Sequence, residues 1–223
     1  LVGSEMCIRD RYTHRRHRRS LLCRPGTMAV QSSIPTIYTR RVYEWQSSRS
    51  LVRERTIAMI EKVNGYWVPS NDVHIQDWQD GKSFTQNKCL EKFIRHCESR
   101  KLKFNHVLDI GAWVGTWTMA MNKLCGRIIA FEPDPVHYEC LTKNVPEDVE
   151  THQLAVGNDS KMIALSDDDF TQAKRVVGDG SIPMVTVDSL GLSDIDMIKI
   201  DVEGYEMNVL KGAQNTLEKT KYL

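Results

Sequence analysis

Asp109, Glu132, Asp201 and Glu203 are the residues of this 223-residue chain best suited to chemistry. Each stands at the end of an apolar run: VLDIGAWVG at 107–115, IIAFEP at 128–133 and IKIDVEGYE at 198–206. Apolar runs that end in acids and glycines are how an open parallel sheet presents a ligand at the carboxyl ends of its strands. In the first run, Gly111 permits a tight turn out of the strand. Gly115 permits close approach at the start of the next helix, with Ala112 between them. Backbone N–H groups at such a helix start attract a polar or anionic ligand. Thr116 can cap that helix or bond a ligand carboxylate. The D-I-G-x-x-x-G pattern lacks the G-x-G-x-x-G of a pyrophosphate site. Glu132 follows Asp109 by 23 residues, near the spacing at which an acid accepts both hydroxyls of a ribose. Pro133 stops its strand and fixes the carboxylate at the sheet edge. The pattern points to a nucleotide-like cofactor that is not a dinucleotide, with S-adenosylmethionine the best candidate.

Asp201, Glu203 and Glu206 close the third run. Acids here can cap a helix and favour its first turn. Beside a cofactor cleft they are also placed to abstract a proton or bind a substrate hydroxyl, and the two roles can coexist. His137 is expected on a helix surface, and Asn144 is expected to close its helix in the left-handed conformation. Tyr66, Trp67, His74 and Trp78 either line a substrate mouth or pack under a loop.

These residues need strands and helices in alternation to position them. The pattern predicts strand 105–110, helix 115–124, strand 127–132, helix 135–144, strand 150–156, strand 195–200 and helix 203–219. IALS at 163–166 and MVTVDS at 184–189 read as an extra pair of strands. SDDDF at 166–170 and VVGDGS at 176–181 read as polar loop. Upstream, a helix is expected over 50–63 with Asn64-Gly65 as its stop, then loop or short irregular strands over 65–83, then a helix over 85–99. Alternating strands and helices of this size imply right-handed βαβ units in a doubly wound α/β sheet. A further strand is needed after helix 203–219. It is missing or only begun, so the final strands are expected to be absent and the edge of strand 195–200 unpaired.

Formal net charge is +1, and the arginine-rich first 27 residues carry +5, leaving −4 on the rest. A mildly acidic body gives no support to a nucleic-acid partner. No apolar run approaches the length of a membrane span. The six cysteines form no CxxC pair, which speaks for reduced packing thiols in a cytoplasmic protein rather than a disulfide framework or a metal site. LVGSEMCIRDR at 1–11 resembles a translated adapter read. Residues 1–27 are therefore expected to be a non-native or disordered leader, residues 28–104 an extension, and 105–223 the incomplete catalytic domain.

The stretches VLDIGAWVGTWT, AFEPDPVHYECLTKN, LAVGN, TVDSL and IDMIKIDVEGYEMNVLKGA together resemble the FkbM family of class I S-adenosylmethionine-dependent methyltransferases. The upstream GYWVPSNDVHIQDW looks like phage or environmental members. The resemblance implies a Rossmann-like fold and O-methylation of a sugar or other small-molecule hydroxyl, free or on a glycan. It implies that Asp109, Gly111, Ala112, Gly115, Thr116, Glu132 and Pro133 hold the cofactor, that Ala155 and Val156 flank its adenine, and that Asp201 and Glu203 face the acceptor. Trp113 departs from the asparagine frequent at its position. An NAD-dependent oxidoreductase, a catalytically inactive binding module and a nucleic-acid methyltransferase remain as other classes. The missing G-x-G-x-x-G argues against the first, the retained strand-end acids against the second, and the want of an Asn-Pro-Pro-Tyr-like loop against the third.

Overall fold

A computed structural model describes residues 60–70, 85–166 and 174–223. The expected leader, residues 50–59, His74, Trp78 and residues 167–173 lie outside the described residues. The chain forms a hairpin of β1 (Ile60–Val63) and β2 (Tyr66–Pro69), then helix α1 (Thr85–Arg100). There follow β3 (Phe104–Ile110), α2 (Thr116–Asn122), β4 (Cys125–Phe131), α3 (Pro135–Asn144) and β5 (Glu150–His152). A second small sheet comprises β6 (Ala155–Val156), β7 (Lys161–Leu165) and β8 (Val176–Val185). The chain returns through β9 (Ile195–Ile200) to two short helices, α4 (Glu206–Lys211) and α5 (Gln214–Leu217).

The central sheet has the order β5-β4-β3-β9, and every pairing in it is parallel. Alternate residues along its strands point to opposite faces. Val107, Ile128 and Met197 pack with Cys97 of α1 and Met121 of α2 on one side. Leu108, Ile129 and Ile198 pack with Val209 of α4 and Ala213 on the other. Both faces are covered, which is why these strands read as continuous apolar runs. This is the doubly wound, Rossmann-like α/β fold, with the carboxyl ends of β3, β4 and β9 side by side. Among the described residues no helix is long and apolar enough to cross a membrane, and the described cysteines are free.

Several expectations are corrected. Residues 60–63 are strand, not helix, because Asn64 and Gly65 both take positive φ (49° and 90°) and turn the chain into a hairpin. Asn-Gly is a strong hairpin signal, and here it outweighs the helical period. Strand 150–156 splits at Gln153 into β5 and β6, which belong to different sheets. Residues 176–181 are the first half of β8 rather than loop, and MVTVDS ends as strand at Val185, with a 3₁₀ turn over Asp188–Leu190. Helix 203–219 begins only at Glu206 and breaks at Gly212. A Cβ on Gly212 would overlap the carbonyl oxygen of Gly157. The outer edge of β9 is not bare: Ile198 N–H donates to Tyr222 O (3.1 Å) and Tyr222 N–H to Asp196 O (3.0 Å).

Asp188 ties the 3₁₀ turn to α5. Its carboxylate accepts from the backbone N–H groups of Asn215 (3.0 Å) and Thr216 (2.9 Å), from Asn215 Nδ2 and from the Thr216 hydroxyl. Burial pushes this carboxyl up, but the Asn215 and Thr216 hydrogen bonds outweigh it and hold it below its ordinary value. A depressed folded pKa contributes stability at pH above the unfolded value of about 3.9, and that stability is lost as pH falls through the folded pKa. Asp188→Ala should lower unfolding free energy by about 0.5–2 kcal/mol at neutral pH, the range for a lost helix cap. The deficit should shrink below about pH 4. Urea titrations at the two pH values check both, and an equal deficit at each would remove the electrostatic part.

Candidate active site

The loop after β3 and the loop after β9 touch. Asp201 N–H donates to Ile110 O (3.0 Å), while Gly111 and Ala112 N–H both donate to Phe131 O at the end of β4 (3.0 Å each). Gly111 has φ 79°, and a Cβ on it would overlap the carbonyl oxygen of Asp201. Only glycine fits both the conformation and the space. Gly115 continues the loop with φ 88° and stands as the N-cap of α2, without a side-chain cap.

Asp109 does not line the resulting cleft. Its carboxylate is fully buried and turned inward. Thr118 Oγ1 donates to Oδ2 (2.5 Å), and Lys199 Nζ lies 2.9 Å from Oδ1. That approach supplies charge rather than a directed hydrogen bond, since Oδ1 accepts none. The ammonium donates instead to Gly111 O (2.6 Å) and sits 4.0 Å from Asp201 Oδ2. Lys199 therefore joins the first and third of the segments that the sequence singles out, and sequence reasoning missed it. A charged residue inside the apolar run of a parallel strand is the signal that marks it.

Glu132 is 6% exposed and holds two loops together. Trp113 N–H donates to Oε2 (2.9 Å) and Asp134 N–H to Oε1 (2.9 Å). Burial raises the Glu132 carboxyl above its ordinary value, opposed mainly by nearby His137. Asp134 caps α3 through Val136 N–H (2.8 Å) and His137 N–H (3.0 Å). His137, expected on a helix surface, is buried: Nδ1 lies 3.8 Å from both Glu132 and Asp134, and Trp113 packs edge-on against its ring. The cap places it there, because it turns the first helical residues towards the strand ends.

In the third segment the acids divide their roles. Glu206 Oε1 accepts from Gly204 N–H (3.0 Å) and Val202 N–H (3.3 Å). Burial pushes its carboxyl up, but these hydrogen bonds prevail and hold it low. Glu206 thus fixes the turn, and Glu203, with φ 54°, stays out of the helix. A non-glycine residue in this region is costly, and strain of this kind clusters at functional sites.

One cleft gathers Gly111, Trp113, Glu132, Pro133 and His137 on one wall, with Asp201, Glu203 and Tyr205 from the segment after β9. Leu154, Ala155 and Val156, with Leu165, Lys174 and Val176 of the β7/β8 arm, complete it. Of the expected site residues, Gly111, Glu132, Pro133, Ala155, Val156, Asp201 and Glu203 come together here. Asp109, Ala112, Gly115 and Thr116 do not line it. Ala112 packs with Ala130 and Leu141, and Thr116 borders a separate hollow with Tyr66 and Leu90. Asn144 is not a left-handed cap: α3 ends into extended Val145. Its side chain accepts from Trp67 N–H (2.7 Å) and donates to Trp67 O and Val114 O (2.8 Å each). Tyr66 and Trp67 pack with Val68, Val114 and Cys140 rather than at the cleft.

Residues 109–223 match a family model described as the methyltransferase FkbM domain. The chain is 27% identical over 126 residues to the hexuronic acid methyltransferase AglP of Haloferax volcanii, covering 52% of each chain. It thus spans about half the length of that curated relative. Among solved structures, the methyltransferase FkbM of Methylobacillus flagellatus is similar at 21% identity and a TM-score of 0.38, over 51% of this chain and 30% of that one.

Proposed function

The chain belongs to the FkbM family of methyltransferases, and from that premise we propose that it uses S-adenosylmethionine to methylate a hydroxyl of a sugar or another small molecule, free or on a glycan. The observation that carries this reading is the buried Glu132 carboxylate, which lines one cleft together with Gly111, Asp201 and Glu203. An acid at the end of the second strand of such a sheet accepts ribose hydroxyls. Glycine at 111 lets the loop after β9 close against the loop after β3, which brings Asp201 to the cleft beside Glu132. The apolar Leu154, Ala155 and Val156 suit a flat purine ring. That the relative AglP is named for a hexuronic acid supports a sugar acceptor.

Bound S-adenosylmethionine supplies a methyl group already activated by its positive sulfur. The chain's residues position the reactants and exclude water. In this reading Glu203, which lines the cleft, takes the proton that the acceptor hydroxyl loses as its oxygen bonds to the methyl carbon and the sulfur keeps the electron pair of the broken bond. General bases of this kind contribute about 10²–10⁴-fold. Asp201, beside Lys199, is the second candidate base and orients the acceptor. Calorimetric titration of the full chain with S-adenosylmethionine, S-adenosylhomocysteine and NAD tests the reading. The two sulfur ligands should bind and NAD should not. Glu132→Ala should weaken binding by about 1.5–3 kcal/mol, the range for hydrogen bonds to a charged acceptor. NAD binding in their place sinks the proposal, and unchanged affinity in the variant removes Glu132 from the site.

A further inference from the structure

Lys174 is a charge in the cleft that the chemistry above leaves unused. It lines the cleft from the β7/β8 arm, half-buried, and among the described residues it has no hydrogen bond or ion pair. The backbone explains why it faces inward. Lys174 and Val176 are half-buried and line the cleft, whereas the alternate residues Arg175 and Val177 are exposed. Leu165 pairs with Val176, and the backbones of Ser166 and Arg175 hydrogen-bond (2.8 Å). The register of the arm therefore sets which side chains turn in.

A lysine on an exposed arm ordinarily carries its ammonium out to water. Here Lys174 shares the cleft lining with Leu165, Val176 and Leu154, and no described residue partners its ammonium. The other cleft charges are engaged. Glu132 accepts two backbone N–H groups, His137 lies between two carboxylates and Asp201 lies beside Lys199. Lys174 comes from the β7/β8 arm, not from the glycine loop. Val176 and Tyr205 pack against the same cluster of Ala155, Ile163 and Met184, and Tyr205 follows Glu203 by two residues. Through Val176, two residues from Lys174, the arm thus reaches the segment that carries Glu203.

We infer that Lys174 selects the methyl acceptor by binding an anionic group on it, a carboxylate or a phosphate, while the acceptor's hydroxyl meets Glu203. The inference rests on the methyltransferase reading and adds a charge requirement to it.

The test uses the full chain, labelled S-adenosylmethionine and matched sugars: glucuronate and galacturonate, glucose 6-phosphate and galactose 6-phosphate, and neutral glucose and galactose. At least one anionic sugar should be methylated with a kcat/KM about 10-fold or more above its neutral counterpart, the scale of one charge-assisted hydrogen bond. Uronate against phosphate preference then identifies the anion. Lys174→Ala should collapse that ratio, chiefly through KM, and Lys174→Arg should restore most of it. Affinity for S-adenosylmethionine should stay within about 2-fold in both variants. Preference for neutral sugars, no methylation of any anionic sugar, or a loss of cofactor affinity in Lys174→Ala overturns the inference and leaves the methyltransferase reading standing. Failure of wild-type protein to bind S-adenosylmethionine overturns both.

Discussion

Lys199→Met should destabilise the fold by about 3–5 kcal/mol, the cost of leaving a buried charge without its partner. Asp109 has no exposure, and the Lys199 ammonium is the positive charge against it, 2.9 Å away. Thr118 meets only the other oxygen. The methionine keeps most of the aliphatic stem, so little of the loss comes from packing. Asp109→Asn in the Lys199→Met background should recover a large part, because the buried charge is then gone. Denaturant midpoints at constant m-value give both numbers. A single variant within about 1 kcal/mol of wild type would show that the carboxylate is not charged in the fold, or that water reaches it.

Gly111→Ala should be damaging for a different reason. The left-handed φ alone costs on the order of 1–2 kcal/mol for a residue with a Cβ. The added Cβ also overlaps Asp201 O, so the tips of β3 and β9 must part. Those tips carry the cleft, and displacement by about 1 Å can reduce turnover on the order of 10²-fold. Gly191→Ala is the control. Gly191 also has positive φ (63°), but nothing lies within 4 Å of its Cβ position. The two variants should share the conformational cost, and only Gly111→Ala should lose S-adenosylmethionine binding as well. Equal behaviour of the two would mean that the close approach is immaterial.

The central sheet was legible in the sequence because burial on both faces imposes uninterrupted apolar runs. β3, β4 and β9 accordingly begin and end within two residues of expectation. The residues that close the cleft from the strand ends were legible for the same reason, since glycines and acids at such positions have few structural duties. The β7/β8 arm was obscure. Val176–Ser181 carries two glycines and an acid, and it is strand because its backbone pairs with β7, which no side-chain pattern announces. Lys199 was missed because its partners, Asp109 and Gly111, belong to the neighbouring β3 and the loop after it, and His137 was misplaced because the Asp134 cap and Glu132 draw it inward. Asn144 was misread because its amide partners lie 77 and 30 residues away in the chain.

Asn144 has a consequence for how the chain can vary. The amide touches the hairpin only through the main chain of residue 67, taking its N–H and giving to its carbonyl. Such a contact is blind to the identity of the residue it grips. Position 67 is free to change: the tryptophan side chain adds only a stacked Lys143 ammonium 5.3 Å from its ring and some packing. Position 144 is not free. Aspartate has no donor for the two carbonyls and glutamine carries its amide one methylene too far. Residue 67 can therefore vary without loss of this main-chain grip on the glycine loop, while a single change at the far end of α3 removes it.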